Sequence, residues 1–283
     1  MTELDRRLNA YRPDLADASL KGLVEAARFA SGEAGRVTVP VIALRPQPEV
    51  ERGIDTEILY GEEITIFERR NGWCWGKALS DGYVGYLPEE AVSLAKPAPT
   101  HIVTVPRTFV YPEPELRKPH VATLSMGSRV TVAEHAEARG NHYIVLSNGK
   151  ALFSRHVRPL TEPPEEDYVA VAARFLETPY LWGGRSGFGI DCSGLVQLAM
   201  LMAGQSAPRD TDMQASGLGM PIDRSDLTHG DLVFWKGHVA IMEDAETMIH
   251  ANGNTMTVAR ERLDDAIARI GHLYGQPTQY RRP

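Results

Sequence analysis

At 283 residues the chain has room for two or three compact domains, and 43% hydrophobic with 24% charged residues is the composition of a globular protein. A formal net charge of −7, with no basic patch, argues against a nucleic-acid or anionic-membrane partner. The two cysteines, Cys74 and Cys192, exclude a disulfide framework and a four-cysteine zinc site, and fit a reducing compartment.

The opening Met1-Thr2-Glu3-Leu4-Asp5-Arg6-Arg7 carries acids and no apolar stretch, so it does not read as a secretory signal and cytoplasmic residence is expected. The longest apolar run, Leu195 to Ala203, is too short to span a bilayer. Residues 1–35 are expected to form an N-terminal helical arm, because Leu15, Leu20, Leu23, Val24 and Ala27 recur at a helical spacing. Ser31-Gly32-Glu33-Ala34-Gly35 would end it.

Two related segments follow, 36–95 and 100–160. Pro46-Gln47-Pro48-Glu49 recurs as Pro112-Glu113-Pro114-Glu115, and Gly61 to Ile66 as Gly127 to Val132, each 66 residues on (46 to 112, 61 to 127). A constant offset through matched strands indicates a repeated module. Each copy shows short alternating strands and an Asx-Gly turn, Asp81-Gly82 and Asn148-Gly149. In Trp73-Cys74-Trp75 strand alternation puts both tryptophans on one face and Cys74 on the other, as a small core thiol. Proline-rich linkers are expected at Ala95-Lys96-Pro97-Ala98-Pro99 and at Thr161 to Glu166.

The remaining segment, 167–283, reads as a helix over Tyr168 to Glu177, a glycine-rich loop, a helix opened near Cys192, and then strands at Leu232–Trp235, His238–Met242 and Thr247–His250. Asp191 suits a helix N-cap and places Cys192 in the first turn, where unpaired N–H groups and the helix dipole favour a thiolate. Such positions lower a thiol pKa from about 8.5 into the range of about 3.5–7.5. Gly194 leaves room beside the sulfur, and the Cys192 N–H is the natural first donor to an oxyanion. His238, Ala240 and Met242 share one strand face, so His238 can reach a helix packed there and serve as base toward Cys192. His250, on the next strand, would orient the His238 ring, with Asn252 as the rival orienter. An inert buried thiol is the other reading of Cys192, and zinc the other reading of the histidines. His229 and Asp231 are near in sequence, but no HExxH or comparable ligand spacing occurs, and neither metal nor cofactor is expected.

Leu59-Tyr60-Gly61-Glu62 and Asp81-Gly82-Tyr83-Val84-Gly85-Tyr86 resemble bacterial SH3-like (SH3b) modules; the second copy, with Lys150-Ala151-Leu152-Phe153, does so less closely. Thr178-Pro179-Tyr180-Leu181-Trp182-Gly183-Gly184, Asp191-Cys192-Ser193-Gly194-Leu195-Val196, Pro208 to Gln214, Gly230 to Trp235 and His238-Val239-Ala240-Ile241 are similar, in order, to the motifs of the NlpC/P60 family of papain-like cysteine peptidases. The resemblance implies an α+β protein: a permuted papain-like domain over 167–283, preceded by two small SH3-like barrels. By that match Cys192 is the nucleophile, His238 the base, His250 the third member, and Tyr180 assists the oxyanion. Trp182, Asp191 and Ser193 would line the substrate site, and Arg209, Asp210 and Thr211 another wall.

SH3b modules ahead of such a domain are similar to γ-D-glutamyl-L-diamino acid endopeptidases. These imply cleavage after γ-D-Glu in murein peptides bearing a free N-terminal L-Ala, in cell-wall peptide recycling. There the first module closes one end of the cleft, and a carboxylate and a tyrosine from it meet the ammonium; Glu51 and Tyr83 are the candidates here. Burying a cation without such a partner is costly. An acyltransferase or thioesterase on the same Cys–His fold, and a non-catalytic wall-binding protein, are the competing readings. The identity of the diamino acid and the oligomeric state are not written in the sequence.

Overall fold

The structure is a computed structural model that describes residues 4–94 and 97–283. The chain divides into two compact units, Met1–Thr161 and Glu162–Pro283. Of the first predicted linker, Ala95 and Lys96 lie outside the described residues, as do Met1, Thr2 and Glu3.

The first unit corrects the predicted helical arm. Between Leu4 and Ala30 there is no α-helix; there is a short parallel pair, Ala16–Asp17 with Phe29–Ala30, and one 3-10 turn at Ala18–Leu20. The Asp17 carboxylate caps that turn by accepting the Ser19 N–H at 2.9 Å. The apolar residues do not share a helical face: Leu15 and Leu20 are buried while Leu23 is 61% exposed. Side chains from the following module hold the segment instead. Ala10 and Leu15 cluster with Phe67, Trp75 and Val84, and the Arg12 guanidinium lies 4.3 Å from the Trp75 ring centroid.

Five antiparallel strands follow, in the spatial order Val84–Pro88, Trp73–Ala78, Glu63–Arg70, Glu33–Val37, Val92–Leu94, beside a pair formed by Val41–Leu44 and Thr56–Leu59. The alternation read from Trp73-Cys74-Trp75 holds, since Cys74 is buried with Val37, Leu44, Ile58 and Leu87 while Trp75 joins the other cluster. The same pairing pattern recurs from His101 to Pro159, around a core of Val103, Val110, Leu124, Ile144 and Leu152. Both Asx-Gly turns are present. Gly82 and Gly149 have φ of +79° and +80°, while Asp81 and Asn148 accept the N–H groups of Tyr83 and Lys150 at 3.0 and 3.2 Å.

The second unit is a six-stranded sheet with helices. Its helices are α1 (Tyr168–Ala173), α2 (Cys192–Met202), α3 (Thr211–Gly217) and α4 (Leu263–Tyr274). Its strands are β1 (Met220–Ile222), β2 (Leu232–Trp235), β3 (His238–Met242), β4 (Thr247–Asn252), β5 (Thr257–Arg262) and β6 (Gln279–Arg282), in the order β1-β6-β2-β3-β4-β5. The predicted strands and the Lys236-Gly237 turn are therefore in place. The first helix stops earlier than predicted, at Ala173, because Glu177 turns to φ +66° and its N–H goes to Val258 O.

The face carrying Val233, Trp235, Ala240, Met242 and Met248 packs on Leu263, Ala266 and Ile270 of α4. No residue of α2 belongs to that cluster, so the helix covering the His238–Ala240–Met242 face is α4, where the sequence suggested that of Cys192. Helix α2 is also packed on β3 and β4, and is buried along nearly its whole length, from Cys192 to Met200 and at Met202. A helix apolar all round must have cover on every side. Among the described residues no helix is long and apolar enough to cross a membrane.

Candidate active site

Helix α2 starts at Cys192 because Asp191 caps it: Asp191 is extended and its Oδ1 accepts the Gly194 N–H at 2.7 Å. The same carboxylate binds the glycine loop, its Oδ2 accepting the Gly183 N–H at 2.9 Å. It also forms a two-point pair with Arg209, Nη1 to Oδ1 at 3.0 Å and Nη2 to Oδ2 at 2.7 Å. Arg209 donates further to Ser193 Oγ at 2.9 Å and to Gly184 O at 3.3 Å. The predicted substrate wall is corrected here. Asp191, Ser193 and Arg209 are 8%, 5% and 1% exposed and satisfy one another, so they build the floor that fixes Cys192.

The Cys192 thiol is buried, 3.9 Å from Thr211 Oγ1, and the Val239 backbone N–H reaches it at the head of β3. Thr211 opens α3, and Asp210 stands at that helix's N-cap without a side-chain capping bond. Burial, followed by the nearby Asp191 charge, pushes the thiol up to about 11, against the opposing pull of the Val239 N–H and Thr211. The lowered pKa expected from the helix terminus is thus overturned. The helix end is present, but its capping residue carries a negative charge beside the sulfur, and desolvation outweighs the dipole.

His238, the residue before Val239, begins β3. Its Nε2 lies 2.9 Å from His250 Nδ1 on β4, so the imidazole pair expected from strand parity is formed. Burial, and then His250, push His238 down to about 3. A raised thiol and a lowered imidazole describe two neutral partners at neutral pH. Asn252 is not an orienter of His238: its Oδ1 accepts the N–H groups of Asn254 and Thr255 at 3.0 and 2.9 Å and shapes the β4–β5 turn.

One residue of this cluster has no signal in the sequence. Glu261, on β5, places Oε2 3.1 Å from His250 Nε2. Arg269 of α4 grips the same carboxylate, Nε to Oε1 at 2.9 Å and Nη2 to Oε2 at 2.6 Å. Burial works to raise the Glu261 carboxyl, but the close approach of the His250 ring and the two hydrogen bonds from Arg269 prevail and hold it at about 2. Among the described residues no group of three or more His, Cys, Asp or Glu side chains is placed to hold a metal ion.

Tyr180 is half-buried and its phenol is raised by burial and then by Cys192, so it stays protonated and can donate. Tyr180, Trp182, His238, Arg269, Leu273 and Tyr274 line a cavity of about 470 Å³; Trp182 is 71% exposed at its mouth. Of the residues assigned in the first unit, Glu51 is exposed on a turn. Tyr83 is 4% exposed and packed within the module's core cluster, which corrects its assignment as a substrate-facing side chain.

Residues 177–269 match the NlpC/P60 family, and residues 44–92 match the bacterial dipeptidyl-peptidase SH3 domain. The chain is 30% identical over 224 residues to a γ-D-glutamyl-L-lysine dipeptidyl-peptidase of Bacillus subtilis, covering 70% of this chain and 72% of that one. It is 29% identical over 265 residues to dipeptidyl-peptidase 6 of Lysinibacillus sphaericus, covering 82% and 96%. A crystal structure of an NlpC/P60 family protein from Bacillus cereus shares the fold, with a TM-score of 0.74 over 88% of this chain and 99% of that one at 23% identity. With matched motifs spread from the glycine loop through α4, the chain belongs to the NlpC/P60 peptidase family and carries a bacterial SH3 domain.

Proposed function

We propose that the protein is a cysteine endopeptidase that hydrolyses the γ-D-glutamyl–diamino acid bond of murein peptides with a free N-terminal L-Ala, in cytoplasmic recycling of cell-wall peptides. The observation that carries this reading is the position of the Cys192 sulfur. It lies at the capped head of α2, held by the Val239 N–H, next in the chain to a base whose ring is hydrogen-bonded to a second imidazole. The names borne by the relatives supply the bond.

In this reading the thiol proton passes to His238 as the sulfur attacks the γ-carbonyl carbon. The Cys192 N–H, which the helix does not use at its first position, and the Tyr180 hydroxyl face the developing oxyanion. His238 then protonates the departing amine, and a water deprotonated by His238 releases the acyl group from the thioester. The cavity beside His238 and Trp182 receives the departing diamino acid.

The test is incubation with L-Ala-γ-D-Glu-meso-diaminopimelate and with its lysine counterpart, following free diamino acid by mass spectrometry. Wild-type protein releases it and Cys192→Ala does not, and N-acetylation of the alanine abolishes release. No release by wild type, or equal release by Cys192→Ala, overturns the proposal.

A further inference from the structure

We infer that Glu261 is a positioning residue: clamped by Arg269, it sets which nitrogen of His250, and through it which nitrogen of His238, carries the proton. Three contacts in series carry this. His238 Nε2 meets His250 Nδ1 at 2.9 Å, His250 Nε2 meets Glu261 Oε2 at 3.1 Å, and Arg269 donates twice to Glu261. His250 is 1% exposed, and among the described residues its Nε2 has no other partner; the approach to Glu261 is close but off the line of a ring N–H.

The proton positions follow from acceptor and donor chemistry alone. A carboxylate held by arginine only accepts. His250 therefore carries its proton on Nε2, leaving Nδ1 bare. A bare His250 Nδ1 accepts, so His238 carries its proton on Nε2 and leaves its own Nδ1 without one. That bare nitrogen is the form of His238 able to take a proton from a thiol. With the opposite order, His250 would donate from Nδ1, His238 would be protonated on Nδ1, and its free nitrogen would be spent on His250. Buried groups whose partners are fixed hold one tautomer, and the wrong tautomer removes a base without moving it.

The charged and titratable groups facing His238 are His250 on β4, Glu261 on β5 and Arg269 on α4. Those facing Glu261 are His250 and Arg269. The direction of proton transfer rests on the catalytic roles proposed above; the proton positions do not.

Glu261→Leu removes the acceptor and keeps a side chain of similar bulk; glutamine would not serve, because Arg269 Nη2 and His250 Nε2 meet the same oxygen and an amide oxygen would accept from both. With leucine there, the Arg269 donors are the polar groups left near His250 Nε2, so that nitrogen no longer holds the proton. The experiment assigns imidazole tautomers by 15N–1H correlation in wild type and Glu261→Leu, and measures Cys192 alkylation by iodoacetamide at neutral pH with the pH profile of kcat. Glu243→Gln, which loses only the exposed pair with Arg260, is the control. Expected are Nε2–H on both rings in wild type and Nδ1–H on both in Glu261→Leu. Alkylation then slows by about tenfold or more, and kcat falls while KM holds. Nδ1–H on His250 in wild type, or a wild-type alkylation rate in a folded Glu261→Leu, overturns the inference. Should Glu261→Leu not fold, the wild-type assignment decides alone. Tautomers and alkylation need no peptide, so a protein that passes these and cleaves no murein peptide loses the proposed function and keeps this inference.

Discussion

Asp191 and Arg209 form a two-point ion pair, at 3.0 and 2.7 Å, with Arg209 1% exposed. The same carboxylate receives the N–H groups of Gly183 and Gly194, so one side chain ties the glycine loop, the start of α2 and the segment before α3. Removing one partner of such a pair leaves an uncompensated buried charge and costs about 3–5 kcal/mol. Asp191→Ala is therefore expected to lower unfolding stability by that amount, the lost cap contributing about 1 kcal/mol of it. The double variant Asp191→Ala, Arg209→Met removes the stranded cation and should be less destabilised than Asp191→Ala alone. Urea unfolding of wild type, Asp191→Ala, Arg209→Met and the double variant gives the comparison. A double variant as unstable as the sum of two singles would show that charge burial is not the dominant cost.

Acid should weaken the second unit through His238. Its folded pKa is lowered to about 3, against about 6.5 in an unfolded chain. Between these values the unfolded state binds more protons, so stability is lost as pH falls from about 6.5 toward 3 and is unaffected above it. Glu261, lowered to about 2, adds a further loss below about 4.5. The expected loss from His238 is of the order of a few kcal/mol. Unfolding measured from pH 7.5 to 4 should show it, and His238→Gln should flatten the slope above pH 4.5. An unchanged slope would mean that His238 titrates normally in the folded protein.

How far the sequence spoke depended on the range of the interaction. Asp191 as N-cap, Cys192 at a helix start, and the β2–β3 hairpin around Lys236-Gly237 are local signals, and all are present. Strand parity left both His250 and Asn252 as partners of His238, because alternate residues share a face, and the 2.9 Å ring contact is with His250. Glu261 and Arg269 were silent, since their meeting depends on the β4–β5 register and on α4 folding back over the sheet. The N-terminal arm departs from its helical spacing for a related reason. Its leucines have a helical spacing, but Phe67, Trp75 and Val84, distant in sequence, fix the segment in an irregular path. The burial that raises the thiol, unlike a cap, leaves no local mark in the sequence.

The two cysteines should separate by chemistry. Burial pushes both thiols up, Cys192 to about 11, so neither is a thiolate at neutral pH without a base. Cys74 lies 0% exposed in a core cluster, with the Arg69 guanidinium 3.5 Å away. Iodoacetamide mapped by mass spectrometry should mark Cys192 well ahead of Cys74 at pH 7. In His238→Ala the Cys192 rate should fall by about tenfold or more at pH 7 and recover as pH rises toward 11. A Cys192 rate independent of His238 would remove the base from the mechanism.

Two helical glycines should respond to alanine with opposite signs. At Gly271, in α4, an added Cβ meets only the end of the Gln276 side chain, at 3.2 Å, and that chain can move. Helix propensity then decides, and Gly271→Ala should stabilise by up to about 1 kcal/mol. At Gly194, in the first turn of α2, the Cβ would stand well inside contact distance of the Gly184 carbonyl oxygen and 3.0 Å from Asp191 Oδ1. The space beside Gly194 is filled by the glycine loop, so neither neighbour can yield without moving the Asp191–Arg209 floor. Gly194→Ala should therefore destabilise by about 1–3 kcal/mol despite its better propensity, and peptide hydrolysis should fall with it. Thermal unfolding of both variants tests the contrast; a Gly194→Ala protein as stable as wild type would show that the loop is free to retreat from Cys192.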